Sequence, residues 1–575
     1  MVESHPVNRK KAFNMLFFLE FWERFGYYGL QAVLASFFVK SLGMEDAESF
    51  VVFGAFSAMV YGYVSIGGYL GDKVLGTQRT ITLGAIVLTI GYALMAFAGA
   101  DKTLVFLALG AIACGNGIFK ANPSSLLSKL YEGDEKHLDS AFTMYYMSVN
   151  IGSFLSMLLV PIVGGRYGLS LGFSICAMGL VLAVGSFIGF RYLVKGIDSP
   201  AGAKPLSLPK LGMTILGVIA MTVFSAWMLS HLSVAHWLLL IIGLCVFGVF
   251  FKMIFQSHGA ERSKMIAAMI LIVEAIVFFT LYQQMPTSLN FFAIKNVEHE
   301  LLGITISDAE VFQTLNPFWI MLASPLLAWM YSHFGDKGTD LSMPAKFALG
   351  MLLTAGSFLV VGFSADFATA GGIVSAWWLV ASYFLSSIGE LLISGLGLSM
   401  ISKLVPQRLI GFLMGAWFLT SSISAVLGGW VATLTTVSKD VVDPVQTLPV
   451  YSHVFTQIGV VTADGTGAWT FTPDTALGEG SHSFTVRATD PLGNVSAVSA
   501  PWSVVVDLTA PTVPVLETVS DNVAGGIVGN LTTGQVTNDT TPTLSGTGAV
   551  GSTIHILNNG VEIGTAPVDS NGNWS

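Results

Sequence analysis

Long apolar stretches broken by short polar turns fill the first 463 residues of the chain, and one helical crossing of a bilayer needs about 17 to 25 such residues. Residues 13–39, 50–70, 80–98, 103–120, 141–163 and 171–193 predict a first bundle of six helices. Two further runs, 211–229 and 237–255, are followed by five more at 265–282, 311–331, 347–363, 373–400 and 410–434. A last candidate, residues 450–463, is short for a crossing. The first run is too long for a signal peptide and has no cleavage pattern after it, so it is expected to remain as a membrane helix. From Asp464 the pattern changes to short alternating runs such as "SFTVRATD" and "WSVVVD", with turns at "NNG" and "SNGN". These read as strands of a small β-sandwich. The expected divisions are a six-helix bundle at 1–195, two further helices at 196–260, a second bundle at 261–463 whose last helix is short, and the β tail at 464–575.

Composition agrees with a polytopic membrane protein, since 53% of residues are hydrophobic, 11% are charged and the mean hydropathy is +0.70. The cysteines Cys114, Cys176 and Cys245 lie far apart in apolar runs, and neither a disulfide framework nor a metal site is expected. The net charge of -9 comes with no basic patch carrying interleaved aromatics, so nucleic acid is not an expected partner. No nucleophile and base pair, metal-ligand spacing or phosphate loop is present, so an enzyme is not expected.

Lysine and arginine set the orientation, because cytoplasmic loops carry an excess of them. Arg9, Lys10 and Lys11 share a side with Lys73, Arg79, Lys129, Lys136, Arg191, Lys195, Lys204, Lys210, Arg262, Lys264, Lys337, Lys346, Lys403 and Arg408, which places the N-terminus inside. Gly71-Asp72-Lys73 after the second span and Gly335-Asp336-Lys337 after a later one form an internal echo, as expected of a transporter built from two halves around a midplane site. Two unrelated polar turns would give the same echo. The segment containing Gly68, Asp72 and Arg79 resembles the loop signature of the major facilitator superfamily.

The informative residues are charges inside apolar runs. Each costs about 2.5 to 3.5 kcal/mol at a bilayer centre on insertion scales, so such groups face the bundle interior or a wet cavity. Glu20, Glu23 and Arg24, at i, i+3 and i+4 in "LEFWERFGYYGLQ", fall on one helix face and leave a surplus negative charge. That surplus takes up a proton or meets another cation, which is what proton coupling needs; a static ion cluster joining helices is the alternative. Lys120 is the candidate cation, or else a snorkelling lysine. Glu390 lies mid-span in the second half, where snorkelling cannot rescue it, and Glu274 is equally readable as a structural acid. Tyr27, Tyr28, Tyr61, Tyr146, Asn150, Asn316 and Trp417 supply polar and aromatic company. Poles of opposite charge in separate halves describe a cavity for a zwitterionic solute.

The segments "EFWERFGYY", "FKANPSS", "MYYMSVNIGSF", "NPFWIMLASPLLAWMY" and "GELLISGLGLSM" resemble the signatures of the proton-dependent oligopeptide transporter family, and more narrowly its bacterial di- and tripeptide permeases. The resemblance runs over about residues 13–463. It implies an all-α polytopic membrane protein with the major facilitator superfamily fold of twelve helices and two extra helices between the halves, lying in the bacterial inner membrane. It implies that Glu20, Glu23, Arg24 and Lys120 couple protons, and that Lys120 also meets the peptide carboxylate. Glu390 is implied to meet the peptide amino terminus, with Tyr27, Tyr28, Tyr61, Tyr146, Asn150, Asn316 and Trp417 lining the site. The partners implied are di- and tripeptides, protons and membrane lipids, with no cofactor beyond the coupling proton. Two departures are Gln31, where many relatives carry arginine, and Gln283, where many carry an acid.

In the tail, "DGTGAW" at Asp464 and "DSNGNW" at Asp569 repeat about 105 residues apart, near the size of one immunoglobulin-like domain. The tail resembles the later half of one bacterial immunoglobulin-like adhesin repeat joined to the earlier half of another. Asp569-Ser570-Asn571 reads as a turn in preference to a calcium loop. Other readings of the whole chain are a symporter for another small solute, or a membrane-anchored surface protein that binds partners through its tail.

Overall fold

The computed structural model describes residues 8–336, 342–404, 410–437, 441–464, 477–487 and 497–575 and forms two compact units, Met1–Trp469 and Thr470–Ser575. In the first unit the apolar runs become helices because a backbone in hydrocarbon must satisfy its hydrogen bonds within its own segment. The first bundle holds α1 (Arg9–Leu42), α2 (Asp46–Gly62), α3 (Val64–Tyr69), α4 (Thr77–Ala98), α5 (Lys102–Leu130), α6 (Glu135–Tyr167) and α7 (Leu169–Phe190). A π-helical turn, Leu70–Val74, prolongs α3. The end where α1 stops and α2 begins is the distal end, and Arg9 lies at the proximal end. Asn8 Oδ1 caps α1 at its start by accepting from Lys11 N, and Gly43 ends it in the left-handed region at φ 68°.

Then come α8 (Leu208–Ser230) and α9 (Leu232–Gln256), the expected inserted pair, with many side chains exposed. The second bundle holds α10 (Gly259–Tyr282), α11 (Ser288–Asn296), a hairpin of β1 (Glu300–Leu301) and β2 (Ile304–Thr305), a 3-10 turn Ala309–Thr314, α12 (Leu315–Asp336), α13 (Met343–Phe363), α14 (Trp377–Leu404), α15 (Ile410–Thr433) and α16 (Pro444–Asp464). The Met285-Pro286 step separates α10 from α11, since proline cannot donate to the helix ladder. Among the described residues nine helices are long and apolar enough to cross a membrane. The first helix is not among them despite its 34 residues, because Glu20, Glu23, Arg24 and Gln31 sit in it.

The last helix corrects the sequence reading. Instead of a short run from Val450, α16 has 21 residues beginning at Pro444, which at 1.5 Å per residue gives about 31 Å. Its polar first turn was uncounted by an apolar scan, yet it is well tied down. Asp443 Oδ1 accepts from Val445 N at 3.0 Å, and Thr447 Oγ1 donates to Asn296 Oδ1 at 2.8 Å. Tyr451 and Phe455 bury against Phe292 of α11, and Gly362 of α13 admits Thr456.

The two bundles meet along α2 and α15, where Gly54 and Ala58 on one helix face Ala425 and Gly429 on the other. A Cβ on Gly54 would stand 2.6 Å from the Ala425 carbonyl oxygen, so the close crossing needs glycine there. Ser422 Oγ donates to Ala58 O across the same seam at 2.7 Å.

In the second unit β3 (Gly480–Phe484) and β4 (Trp502–Val506) form a two-stranded pair among the described residues. β5 (Val515–Asp521), β6 (Gly529–Asn530), β7 (Thr543–Thr547) and β10 (Asn573–Trp574) form a sheet in the order β10-β7-β5-β6, and β8 (Thr553–Asn558) and β9 (Val561–Pro567) form a hairpin. The "NNG" turn joins β8 to β9 with Asn559 and Gly560 both at positive φ, as a two-residue hairpin turn requires. Asp569 Oδ1 accepts from Asn571 N and Asn573 N, the expected turn. The "SFTVRATD" strand starts earlier than expected and stops at Phe484; its residues 488–490, and 465–469 of "DGTGAW", lie outside the described residues.

Candidate functional site

In α1 the three charges form one buried cluster. Arg24 Nε lies 2.5 Å from Glu23 Oε2 and 3.2 Å from Glu20 Oε1, and all three side chains are almost wholly buried. The remaining carboxylate oxygens find neutral donors. Asn116 Nδ2 of α5 donates to Glu23 Oε1 at 2.7 Å, and the Tyr145 hydroxyl of α6 donates to Glu20 Oε2. Two acids against one guanidinium leave a buried surplus negative charge held by hydrogen bonds.

Lys120 differs from expectation. Instead of completing the ion pairs, its ammonium stands 4.0 Å above the centre of the Tyr61 ring. It lies one helical turn after Asn116 on α5, so a small side-chain movement brings it toward Glu23. Tyr27 and Tyr28 touch edge to face at 5.2 Å, and the Arg24 guanidinium lies 5.7 Å from the Tyr27 ring centre.

In the second bundle Glu390 of α14 is buried and accepts from Asn316 Nδ2 of α12 at 2.8 Å. The same amide reaches Ser387 Oγ at 3.1 Å. Glu390 lies within electrostatic reach of Tyr28, Tyr61 and Tyr146 of the first bundle and of Tyr282 of α10, and Tyr28 and Tyr61 lie within reach of Arg24 as well. Tyr146 is exposed and receives the Asn150 amide on its carbonyl at 2.9 Å. Trp417 is buried edge to face against Phe279, 6.0 Å between ring centres. Glu274 is half-buried beside the exposed Val273 and Val277, away from the cluster.

Asn116, Tyr145 and Ser387 were missed in the sequence. A signal existed, since each lies three or four residues from a named site residue or beside one in an apolar run. Of the loop motif, Asp72 lies 3.7 Å from Lys129 and Arg79 donates to Leu75 O and Lys204 O. Gly68 lies by Ala121 of α5; at neighbouring Gly71, a Cβ would stand 1.8 Å from Asn122 Oδ1. Of the echo, Gly335 and Asp336 end α12, and Lys337 lies outside the described residues.

Hydrogen bonds and ion pairs join the bundles from mid-depth to the distal end. Lys40 pairs with Glu310 at 2.9 Å and Lys295 with Asp46 at 2.5 Å, while Ala32 O accepts from both Asn290 Nδ2 and Gln313 Nε2. Burial alone would raise Glu310, but Lys40 outweighs it and holds the carboxyl below its ordinary value near 4.5. A depressed carboxyl stabilises closure above its ordinary value, and that contribution is lost as pH falls through the lower one. Closure of the distal end, followed by spin-label distances from pH 7 downward, should therefore owe no loss to this pair until below about pH 4.5. Glu310→Gln should weaken closure at pH 7 and remove that acid step; an unchanged step would assign it elsewhere.

The POT family model matches residues 78–451, and a bacterial Ig-like domain model matches residues 433–508, overlapping α16 before the strands begin. The chain is 54% identical over 458 residues to the dipeptide and tripeptide permease A of Proteus mirabilis, covering 80% of this chain and 93% of that protein. It is 52% identical over 462 residues to the permease of the same name from Escherichia coli K12, covering 80% and 92%. Among solved structures, tetrameric PepTSo2 superposes with a TM-score of 0.72 at 40% identity, covering 80% of this chain and 97% of that one. A bacterial homologue of the human drug peptide transporters PepT1 and PepT2 gives 0.70 at 38% identity, covering 80% and 96%.

Proposed function

The chain belongs to the POT family, and from that premise we propose that it is a proton-coupled symporter importing di- and tripeptides across the bacterial inner membrane by alternating access. The observation that carries the reading is the pair of buried poles: an acid-rich cluster with Arg24 and Lys120 in one bundle, and Glu390 in the other, with tyrosines in reach of both. A peptide is a zwitterion of variable side chain, so its two charged ends are the common handles. Lys120 takes its carboxylate and Glu390 its ammonium, while Tyr27, Tyr28, Tyr61, Tyr146, Asn150, Asn316 and Trp417 line the space between. The ring contact that holds Lys120 is weaker than an ion pair, so an arriving carboxylate draws the ammonium off Tyr61.

Proton uptake at Glu20 or Glu23 removes the surplus negative charge and loosens Arg24 from one of its two carboxylates. One proton entering down 100 mV contributes about 2.3 kcal/mol, enough to bias the cycle. No cofactor beyond the proton is required. The excess of Lys and Arg in the loops on its side supports a cytoplasmic N-terminus, and on that reading the distal closure is periplasmic. Gln31 and Gln283 are uncharged, so coupling falls to the first-helix cluster.

Uptake of dialanine or trialanine by proteoliposomes of the full chain tests the reading. It should rise with an inward proton gradient and be competed by other dipeptides; uptake indifferent to both would overturn it. On this reading α16, with 21 residues, makes the last crossing of a two-bundle carrier, and Asp464 then returns to the cytoplasmic side. Protease outside intact cells should then leave the tail uncut, and a cut would show that α16 fails to cross.

A further inference from the structure

We infer that Gln313 and Asn290 are the positioning residues that close the periplasmic gate, acting as paired amide donors onto the carbonyl of Ala32. The inference rests on the alternating-access reading above and assigns a gate element that the charged poles do not supply.

Gln313 Nε2 donates to Ala32 O at 2.9 Å, and Asn290 Nδ2 donates to the same oxygen at 3.4 Å. The donors come from the second half, on the 3-10 turn before α12 and on α11; the acceptor is backbone of α1 in the first half. Both side chains are buried, at 2% and 1% exposure. Their other ends matter as much, because Gln313 Oε1 and Asn290 Oδ1 have no hydrogen-bond partner among the described residues. A buried acceptor without a partner is costly. Turning either amide to satisfy its oxygen elsewhere would set oxygen against the Ala32 carbonyl, so the donor contact decides the orientation. Closure is thus held by two NH2 groups and opposed by two dry oxygens that meet water when the gate opens. Such a balance suits a contact that must form and break in every cycle.

The contact is neutral, so the pH of the periplasm does not alter it directly. The charged groups around it are already paired or point outward: Lys40 with Glu310, Lys295 with Asp46, Asp308 with Ser307 Oγ, and Arg166 of α6 and His453 of α16 exposed. Tyr451 of α16 packs on Phe292, two residues from Asn290. Gln31 and Gln283 add no charge.

A test exploits the donor requirement. Gln313→Glu keeps the shape and can donate to Ala32 O only when protonated. Its carboxyl then has a higher pKa in the closed gate than in the open one, so closure is favoured at low pH and lost as pH rises, by up to tenfold per unit. Full-length chain with Cys245→Ser, Glu45→Cys and Glu300→Cys, spin-labelled in nanodiscs, reports the distance across the gate. The labelled parent and its Gln313→Glu variant are compared at pH 5 and pH 8. The expected result is a closed share at least fivefold below the parent at pH 8 and within twofold of it at pH 5, with Asn290→Asp showing the same sign more weakly. Recovery at pH 5 shows that the variant is folded. A closed share equal to the parent's at both pH values, or lowered equally at both, overturns the inference. If the parent itself neither transports peptide nor changes distance, it is the transport reading that fails.

Discussion

Glu23→Gln is expected to reduce proton-gradient-driven peptide uptake at least about 100-fold, which corresponds to about 2.7 kcal/mol. The wild-type carboxylate is an acceptor on both sides, receiving Asn116 Nδ2 at 2.7 Å and Arg24 Nε at 2.5 Å with no exposed surface. Glutamine has nearly the same shape but turns one end into a donor, so it must present NH2 either to the asparagine amide or to the guanidinium. Arg24 is then left with Glu20 alone at 3.2 Å, and the surplus charge that would take up a proton is gone. Lys120, Glu390 and the gate amides keep their own side chains. Exchange of labelled for unlabelled peptide, which needs no net proton movement, should therefore persist within a few fold. The two assays on one preparation separate loss of coupling from loss of fold. Full gradient-driven uptake by the variant would mean that Glu23 is only a structural member of an ion cluster.

Much of this arrangement was legible in the sequence because hydrocarbon penalises exceptions. Glu20, Glu23, Arg24 and Glu390 stand out in apolar runs, and in the structure all four are buried in the bundle interior. The helical runs were legible from their lengths, while the two-half plan also leaned on the Gly-Asp-Lys echo and the inserted pair on the family resemblance. Less legible were side chains whose roles depend on a distant element. Asn116 and Tyr145 are ordinary residues until α5 and α6 bring them against α1. Lys120 has the right charge, but its seat over Tyr61 depends on how α2 and α5 meet. The start of α16 escaped because its first turn is held by Asp443 and by Asn296, about 150 residues away, and not by apolar burial. Gln313 and Asn290 carry no sequence signal, since neutral amides near a helix end are common and only the shared acceptor gives them meaning.

Glu390→Gln should raise the KM for dialanine at least about 30-fold, the lower end of the cost of removing one partner of a buried charged pair. The substitution spares the local fold better than most. Glu390 Oε2 accepts from Asn316 Nδ2, and a glutamine Oε1 can accept the same hydrogen bond, with Ser387 still in place beside the asparagine. What disappears is the charge proposed to meet an ammonium, while the first-helix cluster keeps its own contacts. The loss should therefore fall on peptides with a free amino terminus and spare those without one. For the parent, N-acetylation of a dipeptide should weaken binding strongly; for the variant the two forms should bind within a few fold of each other. Equal weakening of both by Glu390→Gln would make the acid a packing group, and an undisturbed preference for the free amine would place the ammonium elsewhere. The comparison also bears on which solute the cavity is built for. A carrier of anions or of uncharged solutes has no need of a second-bundle carboxylate held ready by Asn316, whereas a peptide carrier cannot fix its substrate's polarity without one.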